Sequence, residues 1–424
     1  MRKFIGLSAL LFLVVGVAPS WAQSSTPPAD HSNRLYGRVT TDDGHTYEGF
    51  IRWDKNEASW SDILSASKEL PEANRRQAED MGYFDRDGRE RKGTIEVFGL
   101  KIQYDRGDGF PSSSESGIRF GHISSIEVLS SRRARLLLKS GQEVELRGGG
   151  DLGTSVRDIV VSDARHGEVR LKWGDVRTVD FMGARWDAKP ASGRRLYGTL
   201  VTRDGERFTG FVAWDADEAL SSDILDGDEG RRRRKIPFSD ITAIERDGSR
   251  AARVFLGDGH DVVLRGTNDV DHSNSGIIVA DPSLGEVRVD WDAFDRLDLK
   301  APPALSYDAF DGGRRIHGTV YTRSGQSYTG DIRWDNDEEY TWEMLNGDLN
   351  DDTQMTIEFA DVASVDHVSY RGCRVTLRDG RSFELRGSND VDEDNKGIFI
   401  HRSDGSTEAV WWEDLARVEF TPRG

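Results

Sequence analysis

The chain has 424 residues, 57 of them Lys or Arg against 75 Asp or Glu, for a net charge of −18. A field of that sign repels nucleic acid and anionic lipid and argues against a partner of either kind. The one cysteine, Cys373, excludes an intramolecular disulfide, so the fold must be held by apolar cores and hydrogen bonds.

Arg2 and Lys3 precede an apolar run from Phe4 to Val17, and Ser20 and Ala22 flank Trp21 before a polar stretch. This pattern predicts a secretory signal peptide over residues 1–22, with cleavage before Gln23. The run is shorter than the roughly 20 residues a membrane-spanning helix needs, and no later segment approaches that length, so no transmembrane segment is expected after cleavage. The expected location is periplasmic or secreted. Residues 23–33 are expected to form a disordered N-terminus.

Three segments then begin alike. Arg34-Leu-Tyr-Gly37, Arg195-Leu-Tyr-Gly198 and Arg315-Ile-His-Gly318 each lead through a β-branched run to a turn dipeptide: Asp43-Gly44, Asp204-Gly205 and Ser324-Gly325. An aromatic, a second glycine, apolar alternation and Trp-Asp follow: Trp53-Asp54, Trp214-Asp215 and Trp334-Asp335. Alternation about such a turn is a strong hairpin signal. The device recurs once in each segment, with turns at Ser140-Gly141, Asp258-Gly259 and Asp379-Gly380, which makes six related half-units. Both kinds of half end in a strand-like run led by an aromatic, as in Phe238 to Glu245 and Trp412 to Glu419.

The prediction is an all-β chain of three tandem modules, 34–187, 194–300 and 314–424, each of two small half-units. Linkers are read at 188–193 and 301–313, where Pro, Gly or Asp replaces alternation. The first half of module one is longer than its counterparts by an insertion at about 68–116, in which Thr94 to Tyr104 suits a hairpin.

The opening hairpins resemble those of Sm-like and SH3-like small β-barrels, with Gly205, Gly210, Trp214 and Asp215 carrying the likeness in module two. The resemblance covers some 25 residues of each first half and implies a fold, not a function. The Asn of the Sm pattern is replaced by Glu57, Glu218 or Glu338, and no basic rim is present, so no RNA-binding role is carried over.

An Asp stands ten residues past the turn glycine in all six half-units: Asp54, Asp151, Asp215, Asp269, Asp335 and Asp390. In the first halves, Trp-Asp-x-x-Glu with Asp62, Asp223 or Glu343 further on reads as a capped helical turn, with an acidic ligand cluster as the alternative. In the second halves, the loops Asn268 to Gly276 and Asn389 to Gly397 place oxygen groups at alternate positions. That spacing suits a partial calcium site built on Asp269, Asp271 and Ser273, and on Asp390, Asp392 and Asp394. The competing reading is a set of Asx turns, in which these side chains bond their own backbone. Module one has Gly153 where the second carboxylate belongs, so no site is expected there. Arg231 to Lys235 reads as a basic run offsetting Asp226, Asp228 and Glu229 on a solvated loop.

No metalloprotease, nucleophile-elbow or phosphate-loop pattern is present, and the nine histidines are scattered. The functional expectation is therefore a noncatalytic envelope repeat protein that binds a protein, glycan or ion through its repeated acidic loops, with calcium the one candidate cofactor. The alternative is an envelope-polymer hydrolase acting through carboxylates.

Overall fold

A computed structural model describes residues 31–81, 94–97, 100–103, 112–189 and 193–422. The predicted signal peptide and cleavage site lie outside the described residues. The chain is all-β, in antiparallel sheets.

Module two shows the plan. Its ten strands are Tyr197–Thr202, Arg207–Ala213, Ile224–Glu229, Arg232–Pro237, Ile241–Arg246, Ala251–Leu256, Asp261–Arg265, Ile277–Asp281, Gly285–Val289 and Phe294–Leu299. Their pairing runs fourth, third, seventh, sixth, fifth, tenth, first, second, eighth, ninth. Modules one and three repeat this order strand for strand. Five-stranded groups are visible in it, but they do not coincide with the contiguous sequence halves. The opening hairpin pairs with the last three strands of the second half, while the third to seventh strands form the other group. The halves have exchanged strands, because the hairpin's apolar face is completed by the eighth and tenth strands.

The repeated second glycine has a steric cause. A Cβ at Gly49, Gly210 or Gly330 would lie inside the contact radius of the carbonyl oxygen of Ser162, Ala280 or His401, on the eighth strand. The aromatic that opens each closing run sits in a short 3-10 turn ahead of the strand, as at Phe238–Asp240 and Trp412–Asp414, which lowers the ring into the core. Trp53, Trp214 and Trp334 are fully buried, and each indole N–H donates to a backbone carbonyl, that of Asp151 (2.8 Å), Asp269 (2.9 Å) or Asp390 (2.9 Å).

The modules are not beads on a string. The ninth strand of module two pairs with Thr353–Glu358 of module three, and the apolar cores of these two modules merge. The second linker packs back onto module one: Phe310 joins its core, Tyr307 lies on Trp60, and the Gly312 amide donates to His122 at 3.0 Å. Module three also lends module one Trp342. The insertion in module one carries the one α-helix among the described residues, Glu72–Asp80, and the predicted hairpin, Thr94–Val97 with Leu100–Gln103. The helix covers module three, where Ala78 packs on Phe399, and Arg333 donates to Asn74 and Gln77 at 3.2 and 2.6 Å.

Two expectations need correction. Of the stretch read as a disordered N-terminus, residues 23–30 lie outside the described residues. Residues 31–33 are placed against the body: Asn33 is buried and donates to the Pro303 carbonyl at 3.0 Å, and Trp60 donates to Ser32 at 3.1 Å. The basic run lies not in a loop but on a hairpin strand, where Arg233 pairs with Asp226 and Asp228, and Arg234 with Glu229.

Candidate functional site

The acids counted ten residues past each turn glycine meet in pairs, one from each half, and form the same nest three times. In the first halves Trp-Asp opens a tight left-handed turn, not a capped helix: φ is 50° at Asp54, 53° at Asp215 and 47° at Asp335. Such angles favour Gly, Asn and Asp, since a short polar side chain can bond locally. The turn closes by an isolated bridge from each Trp to the Glu four residues on.

The first aspartate of each nest reaches across to the second half. Asp54 accepts from the Arg157 amide at 2.6 Å, Asp215 from the Ser275 amide, and Asp335 from the Lys396 amide. The second aspartate caps the third strand: Asp151 accepts from the Ser65 amide at 2.9 Å, Asp269 from Asp226 at 2.6 Å, and Asp390 from Asn346 at 2.7 Å. Between them stands Glu57, Glu218 or Glu338, with a buried carboxylate oxygen that has no hydrogen-bond partner. Burial, and then the neighbouring aspartates, raises the pKa of all three glutamates, that of Glu218 to about 9. Burial likewise lifts Asp151 and Asp269 to about 6.

The acids nine residues past each Trp have another task. Asp62, Asp223 and Glu343 each accept from two successive amides of their own turn. Each also meets a cation of another module: Asp62 pairs with buried Arg195 at 3.0 Å, Asp223 with Arg52 at 2.9 Å, and Glu343 with Lys68. Half-buried Lys68 also meets Asp337 at 2.6 Å; desolvation alone would lower its pKa, but these carboxylates outweigh that and keep it raised. Buried Arg119 of module one reaches Glu358 (3.1 Å) and Asp361 (3.4 Å) of module three.

The six residues proposed for calcium are distributed differently. Asp269 and Asp390 belong to the nests. Asp271 accepts from the amide and hydroxyl of Ser273 at 2.9 and 2.5 Å, and Asp392 accepts from the Asp394 amide at 3.0 Å, both as Asx turns. They are not among the acids that converge. Among the described residues, the group of His, Cys, Asp or Glu side chains whose ligand atoms all lie within 4.8 Å of one another is Asp54, Glu57 and Asp151, in module one. The equal spacing of the acids from their turns hinted at such a nest, but nothing in the sequence showed that acids about 100 residues apart would meet.

Two clefts flank these features. One of about 200 Å³ lies between modules one and two, and its lining includes Asn56, Glu57, Gly150, Asp151, Glu286 and Arg288. Burial, then Asp62 and Asp151, raises Glu286 to about 8. The other, an open groove of about 690 Å³, runs over module one and the first linker. There Arg38 and Tyr36 both bond Glu48, at 2.8 and 3.2 Å. Burial would raise Asp163, but bonds from the amides of Glu48, Arg165 and His166 and from the His166 ring hold it down at about 2. Arg185 and Asp187 also line the groove, and Trp186 between them is 59% exposed.

Comparison with protein-family models, with curated proteins and with solved structures found no match.

Proposed function

We propose that the protein is an exported, noncatalytic binding protein, and that its ligand is a glycan of the cell envelope held in the groove over module one and the first linker. The observation that carries this reading is that groove: planar donors and acceptors of both signs line it, and an exposed tryptophan, Trp186, falls in sequence between two of its lining residues. A sugar ring has an apolar face that stacks on an indole and a hydroxyl edge that both donates and accepts. Arg38, Glu48, Asp163 and Arg185 line the groove and offer partners for such an edge, and the exposed Trp186, between the lining residues Arg185 and Asp187 in sequence, offers a platform for such a face at its margin. The groove's polar groups are paired with one another, but Arg38 and Arg185 stand 52% and 64% exposed, whereas the repeated acids are mostly buried, so the groove is a better candidate for recognition than the acidic loops. The five-stranded groups support reading each module as a pair of small SH3-like or Sm-like barrels, and the N-terminal pattern supports export.

Co-sedimentation with insoluble envelope polysaccharide tests the proposal. Trp186→Ala should weaken retention by about tenfold, the worth of one stacked aromatic, and leave the melting temperature unchanged. Retention equal to that of the unaltered protein would contradict it.

A further inference from the structure

We infer that Asp54, Glu57 and Asp151 form a binding site for one divalent cation, calcium by the chemistry of its donors, at the junction of modules one and two. Three carboxylates offer oxygens within 4.8 Å of one another. Two ligands of a calcium ion, each about 2.4 Å from it, can be no further apart than that. The independent sign of a missing ligand is Glu57: it is 4% exposed and its Oε2 has no hydrogen-bond partner. A buried carboxylate oxygen without a donor is costly, and a cation removes the cost. Glu57 and Asp151 also line the cleft between the modules, which has room of about 200 Å³ for the waters that complete a calcium shell.

In the other two nests Glu218 and Glu338 keep the same orphan oxygen, but the first aspartate is held by a side-chain amide that module one lacks. In module two the Asn268 side-chain amide donates to Asp215, and in module three that of Asn389 donates to Asp335. Module three has a further cation near Glu338, since Lys68 bridges the adjoining Asp337 and Glu343. The residue equivalent to Asn268 and Asn389, nine past the turn glycine, is Gly150 in module one. The amide is deleted, and Gly150 instead lines the cleft. Arg157 still pairs with Asp54 at 2.6 Å, which leaves an excess of negative charge in the set when all three acids are ionised. Module one, which the sequence marked as lacking a calcium loop, is thus the one with room for the ion.

Calorimetric titration of the chelator-treated protein with calcium chloride tests the inference. The expected result is one ion per chain and a higher melting temperature with calcium. Glu57→Gln replaces the acid by a neutral isostere and should lower the affinity by at least about tenfold. Gly150→Asn installs the amide of the other modules; its Cβ would meet only Ser65 side-chain and backbone atoms at 3.5 and 3.9 Å, so it should fold and lose the site. Circular dichroism of both variants confirms folding. No calcium uptake by the unaltered protein would overturn the inference, as would uptake that survives Gly150→Asn and disappears in Asp392→Ala.

Discussion

The nests of modules one and three share a backbone and differ in what neutralises them. In each, an aspartate in a left-handed turn accepts the same amide, sixteen residues past the turn glycine of the second half, from Arg157 or Lys396. In module three the set is closed: Asp335 is fully buried, takes the Asn389 amide and pairs with Lys396 at 2.7 Å. In module one Gly150 removes that amide, and Arg157, whose side chain is 42% exposed, ties Asp54 from the solvent side. Two side chains, Asn389 against Gly150 and Lys396 against Arg157, thus separate a nest sealed by protein groups from one open to a cleft. Repetition preserves the scaffold while leaving each copy free to change its contents.

The largest expected effect breaks the comparison at its cations. Lys396→Met leaves Asp335 buried without its ion pair and should cost about 3 kcal/mol in denaturant unfolding. Arg157→Met, at the equivalent position, removes a partly solvated pair and should cost about 1 kcal/mol or less. Equal costs would mean that the nests are equally enclosed.

A smaller effect concerns the glutamates. Burial, then Asp269 and Asp215, raises Glu218 to about 9 from an ordinary 4.5. Between those values the folded chain holds a proton that the unfolded chain has released, so stability falls as pH rises through that window. Below it both states are protonated and the effect vanishes. Glu218→Gln should therefore raise the melting temperature at pH 8 by about 2–4 °C and leave that at pH 4 unchanged, as calorimetry can show. A rise at both would assign the gain to packing.

Much of the fold was legible in residues that act locally. The turn pairs, Gly49 and its equivalents, and the Trp-Asp dipeptides announced hairpins, and copies at constant spacing announced the modules. The exchange of strands was not legible, since it depends on which distant strand completes a hairpin's apolar face, and local alternation is silent on that. The second linker reads as a connector because Pro, Gly and Asp dominate it, yet Tyr307 and Phe310 anchor it in module one. At the candidate site, Gly153 stood out as a departure and Gly150 did not, because the meaning of Gly150 lies in Asp54, which is close only in the folded chain. Glu57 read as a capping residue because its neighbours in sequence, not in space, were the ones visible.

The most direct test is to locate an ion among the three nests. Each has a tryptophan whose indole bonds the carbonyl of its second aspartate: Trp53 for Asp151, Trp214 for Asp269 and Trp334 for Asp390. Terbium replaces calcium at oxygen sites and emits when a nearby indole is excited. Emission should saturate at one terbium per chain, be competed by calcium, fall sharply in Trp53→Phe and persist in Trp334→Phe. Emission that persists in Trp53→Phe and falls in Trp334→Phe would place the ion in module three and contradict the account.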